Sequence, residues 1–273
     1  MRKLGPYFFL IPAALAILLF LFVPLASSLN TKQFLLIERV LKDSGFWNTL
    51  LQTSLFTAIT VPLEILIGLG FALLLNQAFP GRGVVRAIVI LPWALPTAIM
   101  AISWKWIFND QYGIFSHVVC SLGLSSEPIA LLATPLGAFS AIVVADVWKT
   151  APFVFILLLA GLQSVPKELL EAAEVDGANA WKKFWLAVFP YLKPYLFVAL
   201  VFRIFHTFGV FDLVWVLTGG GPANKTRVFA LYIYESLFRY LELDYAMALN
   251  LVFMVILLIA TTVLLWLFRE KEA

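Results

Sequence analysis

The sequence predicts an all-α polytopic membrane protein of six transmembrane helices, and three observations carry that expectation. Of the 273 residues, 62% are hydrophobic and 13% are charged, about half the roughly 25% charge of an ordinary soluble domain. Such a chain cannot cover itself with polar surface in water. Apolar runs of about 20 residues recur along it, the length at which a helix rising about 1.5 Å per residue crosses the bilayer hydrocarbon. The Lys and Arg residues are divided unevenly between the segments joining those runs, and cytoplasmic segments are where such residues collect.

Apolar stretches bounded by polar or Gly/Pro punctuation place spans near 7–29, 49–76, 86–106, 135–161, 191–217 and 246–268. The first follows Met1-Arg2-Lys3 and superficially resembles a secretory signal. Its apolar run from Tyr7 to Leu29 exceeds the about 7 to 15 residues of a signal core, so it reads as a retained helix. Pro62, Pro92, Pro96 and Pro152 lie inside spans, where neighbouring helices can accommodate kinks. With six spans both ends share one side. Arg2, Lys3, Arg82, Arg86, Lys167, Lys182, Lys183, Lys193, Arg269 and Lys271 lie on that side, against Lys32, Arg39, Lys42, Lys225, Arg227 and Arg239 opposite. The excess places both termini in the cytoplasm.

Several function classes lose support at once. With one cysteine, Cys120, no intramolecular disulfide can form, and His117 and His206 stand far apart with no metal-ligand spacing around them. No basic patch interleaved with aromatics points to nucleic acid. No G-x-x-x-x-G-K-S/T stretch occurs, so ATP is not hydrolysed by this chain and no cofactor is expected in it; Gly81-Arg82-Gly83 reads as a turn. A membrane enzyme would need clustered His, Cys or carboxylates near one face. A self-sufficient secondary transporter would need internal repeats and coupling-ion sites in broken midplane helices, and no such repeat is visible.

Outside, Gly219-Gly220-Gly221-Pro222 breaks the fifth span, and Leu231, Tyr232, Tyr234, Leu237 and Phe238 suggest a short interfacial helix. Inside, the loop at about 162–190 is more helix-like than a linker. Ser164 can cap a helix whose first turn carries Pro166, followed by Glu168, Leu169, Leu170, Glu171, Ala172 and Ala173. Asp176-Gly177 ends it, since glycine suits the left-handed position after a helix, and a second helix begins near Ala178. A short, charged, small-residue helix protruding into the cytoplasm is suited to docking.

The stretch EAAEVDGANAWKKFWLAVFPYLKP resembles the EAA loop of permease subunits of binding-protein-dependent ABC importers, matching at Glu171, Ala172, Ala173, Asp176, Gly177, Ala178, Phe184 and Pro190, with Pro194 following. Ala187 and Phe189 depart from the usual residues but keep their positions apolar. Further stretches, Ile90–Pro96, Trp104–Asn109, Asp146–Lys149, Gly161–Pro166 and Leu217–Pro222, resemble the carbohydrate branch, of the maltose, trehalose and glycerol-phosphate type, and the first permease of its pairs. The resemblance implies one permease domain over 1–273 with the type I (MetI-like) architecture, importing a sugar or related solute. It implies as partners a second homologous permease, two ATPase subunits that bind the ATP, and an extracytoplasmic solute-binding protein. It also implies that Glu171, Ala172, Ala173, Asp176, Gly177 and Ala178 couple the chain to the ATPase, Glu171 through a salt bridge.

Charges inside spans cost about 2.5 to 3.5 kcal/mol each, so Glu64, Asp146, Lys149 and Arg203 are expected to face protein or water. Asp146 and Lys149, three apart, can neutralise one another; Arg203 can pair within the protein, meet the partner permease or line the pathway. Sugars present C–H faces to aromatic rings and hydroxyls to polar groups. Trp148, Phe153, Phe202, Phe205, His206 and Trp215, on the fourth and fifth spans, are the pathway candidates.

Overall fold

In the computed structural model, which describes residues 31–268 together with Pro12, Leu15, Leu18 and Leu19, helices follow one another with short breaks. They are α1 (Thr31–Lys42), α2 (Ser44–Asn76), α3 (Arg82–Ala94), α4 (Thr97–Ile107), α5 (Ile114–Ser121), α6 (Pro135–Gln163), α7 (Lys167–Val175), α8 (Ala180–Lys183), α9 (Phe189–Phe208), α10 (Asp212–Leu217), α11 (Phe229–Tyr234) and α12 (Leu243–Phe268). A π-helical turn, Phe184–Val188, joins α8 to α9, and another, Glu235–Arg239, follows α11. Apart from those four residues, the span expected at 7–29 lies outside the described residues, as do both termini.

Four helices among the described residues are long and apolar enough to cross a membrane: α2, α6, the stretch Ala180–Phe208, and α12. A fifth span is present if one bent pair of helices counts as a single crossing. α3 and α4 meet at a 95° bend, so the single helix expected over 86–106 is corrected to a bent pair. The cause is local, since Pro96 has no N–H to continue the ladder and pushes Leu95 to extended backbone (φ −73°, ψ 138°). The span expected at 191–217 is also corrected. Its helix starts earlier, at Ala180, and stops at Phe208; after Gly209 a separate α10 begins, with Asp212 at its positive N-terminal end.

The described chain divides into two compact units, one built on residues up to Trp47 with Tyr232–Leu258, the other on Asn48–Leu231 with the residues from Ile259. In the first, Asp43 is the hub. Its carboxylate accepts the phenol of Tyr232, the phenol of Tyr245 (2.6 Å) and the N–H of Gly45 (2.8 Å), which starts α2. Burial pushes the Asp43 carboxyl up, but those phenols and the N–H groups of Gly45 and Phe46 outweigh it and hold it below its ordinary value. Arg39 pairs with Glu242 at 2.8 Å and lies 4.5 Å over the Tyr245 ring.

In the second unit α2, α6 and α9 form the core, with Ala72, Leu75, Val154, Phe155, Leu158, Leu162, Leu192 and Ala199 buried against each other. Gly68 allows α2 to press on α6, because a Cβ there would stand 2.8 Å from Val154 and 2.9 Å from the Phe155 nitrogen. Close backbone approach of this kind substitutes for the hydrophobic drive that lipid removes. Thr53, Thr57 and Thr60 return their hydroxyls to carbonyls one turn earlier, and Thr53 also accepts the Phe229 N–H at the start of α11. The helix expected to lie on the interface around 231–238 is corrected by this burial: Phe229 and Leu231 are fully buried, and only the end, at Phe238, is exposed.

Candidate functional site

The protruding loop is a helix, a corner and a second helix. Ser164 does not cap α7 as expected. α6 runs on through Gln163, so Ser164 closes that helix, its hydroxyl donating to the Gly161 carbonyl at 2.7 Å, and Pro166 stands at the N-cap of α7. At the other end the Ala178 N–H reaches the Ala173 carbonyl at 2.9 Å and the Gly177 N–H reaches that of Glu174 at 3.0 Å. This is the Schellman arrangement, with Gly177 at φ +70° in the left-handed position. Asp176 is the residue between helix and glycine, so three of the sequence candidates build the corner itself.

Asn179 then caps the second helix, its side chain accepting the Lys182 N–H at 2.9 Å, so that helix begins at Ala180 rather than at Ala178. Lys183 reaches back across the corner to Glu174. Glu171 and Ala172 are exposed on α7, while Val175 is 89% and Trp181 70% exposed. These two apolar side chains, one at the end of α7 and one on α8, are bare on either side of the corner. From Ala180 the chain stays helical through Phe208, so the corner is continuous with a membrane span.

A charged cluster sits within the second unit. Arg203 on α9 donates to both carboxylate oxygens of Glu64 on α2, at 2.7 Å for one of them, and to Asp146 on α6 at 3.1 Å; Thr150 adds a hydroxyl to Glu64 at 2.7 Å. All three charged residues are at most 3% exposed. Asp146 and Lys149 therefore do not pair along their own helix. Lys149, also buried, donates to the Leu95 carbonyl at 2.5 Å and the Trp93 carbonyl at 3.5 Å. Those carbonyls end α3 at the bend, where helix carbonyls lack partners and a cation meets the negative end of the dipole.

The aromatic candidates divide into groups. Phe202, Phe205 and His206 share the exposed side of α9, opposite buried Arg203 and Thr207. Phe153 meets Phe202 at 5.8 Å between ring centroids and Trp93 at the same distance. Trp215 stacks on Phe211 at 6.0 Å. Trp148 stands apart, edge-on to Trp104 at 5.7 Å, with its outer side on an apolar groove between α2, α3 and α6. Sequence reasoning named Trp93 and Trp104 only as parts of motifs and did not place them beside Phe153 and Trp148, nor give Lys149 its capping role, because each depends on a contact with a residue more than forty positions away.

This geometry has counterparts. The family model described as the binding-protein-dependent transport system inner membrane component matches residues 64–269. The chain is 42% identical over 247 residues to the trehalose/maltose transport system permease protein MalF of Thermococcus litoralis, covering 85% of this chain and 83% of that protein. It is 39% identical over 230 residues to the sulfoquinovosyl glycerol transport system permease protein SmoG of Agrobacterium fabrum, covering 84% and 74%. In fold it is similar to a chain of a bacterial ABC transporter importing the acidic polysaccharide alginate, with a TM-score of 0.87 and 22% identity over 100% of this chain and 97% of that one.

Proposed function

We propose, from the premise that this chain belongs to the family of binding-protein-dependent transport system inner membrane components, that it is the permease through which an ABC importer moves a sugar or related solute across the cytoplasmic membrane. Relatives named for trehalose/maltose and sulfoquinovosyl glycerol transport support the substrate class. ATP is bound and hydrolysed by separate ATPase subunits, two to a complex. A second homologous permease completes the translocation path, and an extracytoplasmic binding protein delivers the solute; an alginate ABC transporter of similar fold has been solved in complex with an alginate pentasaccharide-bound periplasmic protein. Both termini lie in the cytoplasm.

The observation that carries this reading is the exposed α7 joined through a capped corner to an unbroken helix from Ala180 to Phe208. Closure of the ATPases displaces α7, where Glu171 pairs with a basic residue of the ATPase and Ala172 and Ala173 permit close contact. Asp176, Gly177 and Ala178 keep the corner rigid, so the displacement passes into α9. There Arg203 is held to Glu64 and Asp146, so α2, α6 and α9 move as one body, and the bend at Pro96 is the break across which the rest adjusts. Phe153, Phe202, Phe205, His206 and Trp215 offer ring faces and one polar edge to the solute, and Trp148 backs them at the margin.

The test is affinity purification of the tagged chain from its native membrane, with and without Glu171→Ala. Recovery of a second permease and an ATPase, with the ATPase reduced in the variant, supports the assignment. Recovery of the chain alone, still competent for uptake, would refute it.

A further inference from the structure

The apolar groove holds about 510 Å³ and is lined by side chains such as Leu63, Ile67, Phe71, Ile88, Pro92 and Val144, with hardly a polar atom on its walls. From Leu63 to Phe71 it follows eight residues of α2, about 12 Å of helix rise. Its direction along the three helices is consistent, for Phe71, Ile88 and Pro152 mark the end nearer the α2–α3 turn and Leu63, Pro92 and Val143 the far end.

At that turn stand two arginines. Arg86 donates to the Leu75 carbonyl at 2.7 Å, and Arg82 to the carbonyls of Asn76 and Gln77 at 3.4 and 3.2 Å. Both close the C-terminal end of α2, and each keeps guanidinium N–H groups to spare. The buried Arg86 Nε has no hydrogen-bond partner, and among the described residues neither arginine forms an ion pair with a carboxylate. The N-terminus of α3 adds its positive dipole end at the same place. A Cβ on Gly83 would meet nothing within 4 Å, so the space beside them is open. Two half-buried cations without counter-charges, within two helix turns of the end of an apolar groove, suit an anionic phospholipid: phosphate at the arginines, acyl chain along the groove. Basic pockets between spans on the cytoplasmic side take such headgroups.

We infer that the α2–α3–α6 groove is a binding site for one anionic phospholipid of the inner leaflet, with its phosphate held by Arg82 and Arg86. The site rests on the cytoplasmic placement of the α2–α3 turn proposed above. Lipid seated there bridges α6 to α3, so its occupancy bears on the bend at Pro96.

The test uses the complete importer in nanodiscs of phosphatidylcholine doped with phosphatidylglycerol, with native mass spectrometry counting lipid retained after mild delipidation. Wild type is expected to keep one phosphatidylglycerol more than the R82Q/R86Q variant. Val144→Phe, which fills the groove and leaves both arginines in place, is expected to lose the same lipid, with phosphatidylcholine retention unchanged throughout. Equal phosphatidylglycerol retention in all three overturns the site, as does a cross-link from Val144→Cys, in a Cys120→Ser background, to a helix of the second permease. Gly83→Cys, in the same Cys120→Ser background and labelled with a membrane-impermeant maleimide, reports the orientation separately. Labelling from the outer face overturns the orientation and the site together, whereas inner-face labelling with equal lipid retention overturns the site alone.

Discussion

Replacing Arg203 with Met removes the one guanidinium that two carboxylates share and leaves Glu64, fully buried, and Asp146, 2% exposed, without it. Met has a comparable apolar stem, so lost volume is a minor part of the effect. Removing one partner from a buried pair costs about 3 to 5 kcal/mol, because the remaining charge has lost its compensation without regaining water. At about 2 to 4 °C per kcal/mol for a chain of this size, the midpoint of heat unfolding in detergent should fall by roughly 6 to 20 °C. Unfolding of such a chain is commonly irreversible, so wild type and variant must be compared at one scan rate. Glu64→Leu should cost less, since it leaves the Arg203–Asp146 pair at 3.1 Å. The double change R203M/E64L should cost less than the sum of the two, because residues of one network couple. A midpoint for R203M within about 3 °C of wild type, which is on the order of 1 kcal/mol, would refute the reading that this cluster binds α2, α6 and α9 together.

Three further outcomes follow from the geometry. Lys149→Met removes the donor to the Leu95 and Trp93 carbonyls and should cost about 1 to 3 kcal/mol for leaving buried acceptors unsatisfied, with uptake falling and Lys149→Arg restoring part of it; wild-type uptake and melting in K149M would sink the capping role. Gly177→Val forces a β-branched residue to φ +70°, a strain of about 1 to 3 kcal/mol, and should uncouple ATP hydrolysis from uptake while membrane insertion is unchanged; tight coupling in that variant would count against the rigid corner. Asp43 has its carboxyl held below the ordinary 3.8, so its contribution is fully present above that pH and is lost as pH falls through the lower folded value. Asp43→Asn should flatten that acid limb in a series of melting curves, and an unchanged limb would show that other carboxylates set it.

The loop shows how far local chemistry reads through to structure. The helix over Lys167–Val175, its glycine stop and the turn into a second helix all rest on residues adjacent in the chain, and they stand where the sequence puts them. The errors there were small, Ser164 closing the preceding helix and Asn179 moving the next start by two residues. The long spans α2, α6 and α12 were equally legible, because a run of apolar residues with no water to turn to has no alternative to helix. The sugar-permease family was legible too, through motifs spread along most of the chain.

What the sequence by itself determined, then, is the solvent of this fold, the existence of its long helices, and the protruding helix pair, all set by composition or by interactions within a few residues. Only the tertiary structure decided where the buried charges go. Asp146 lies three residues from Lys149 on one helix, yet it meets Arg203, fifty-seven residues away, while Lys149 finds the carbonyls at the end of α3. The choice turns on which helices lie side by side and on a bend at Pro96 that frees those carbonyls. Neighbourhood along one helix offers a partner, but in a medium without water the group that supplies the most hydrogen bonds wins, and that group is brought up by packing.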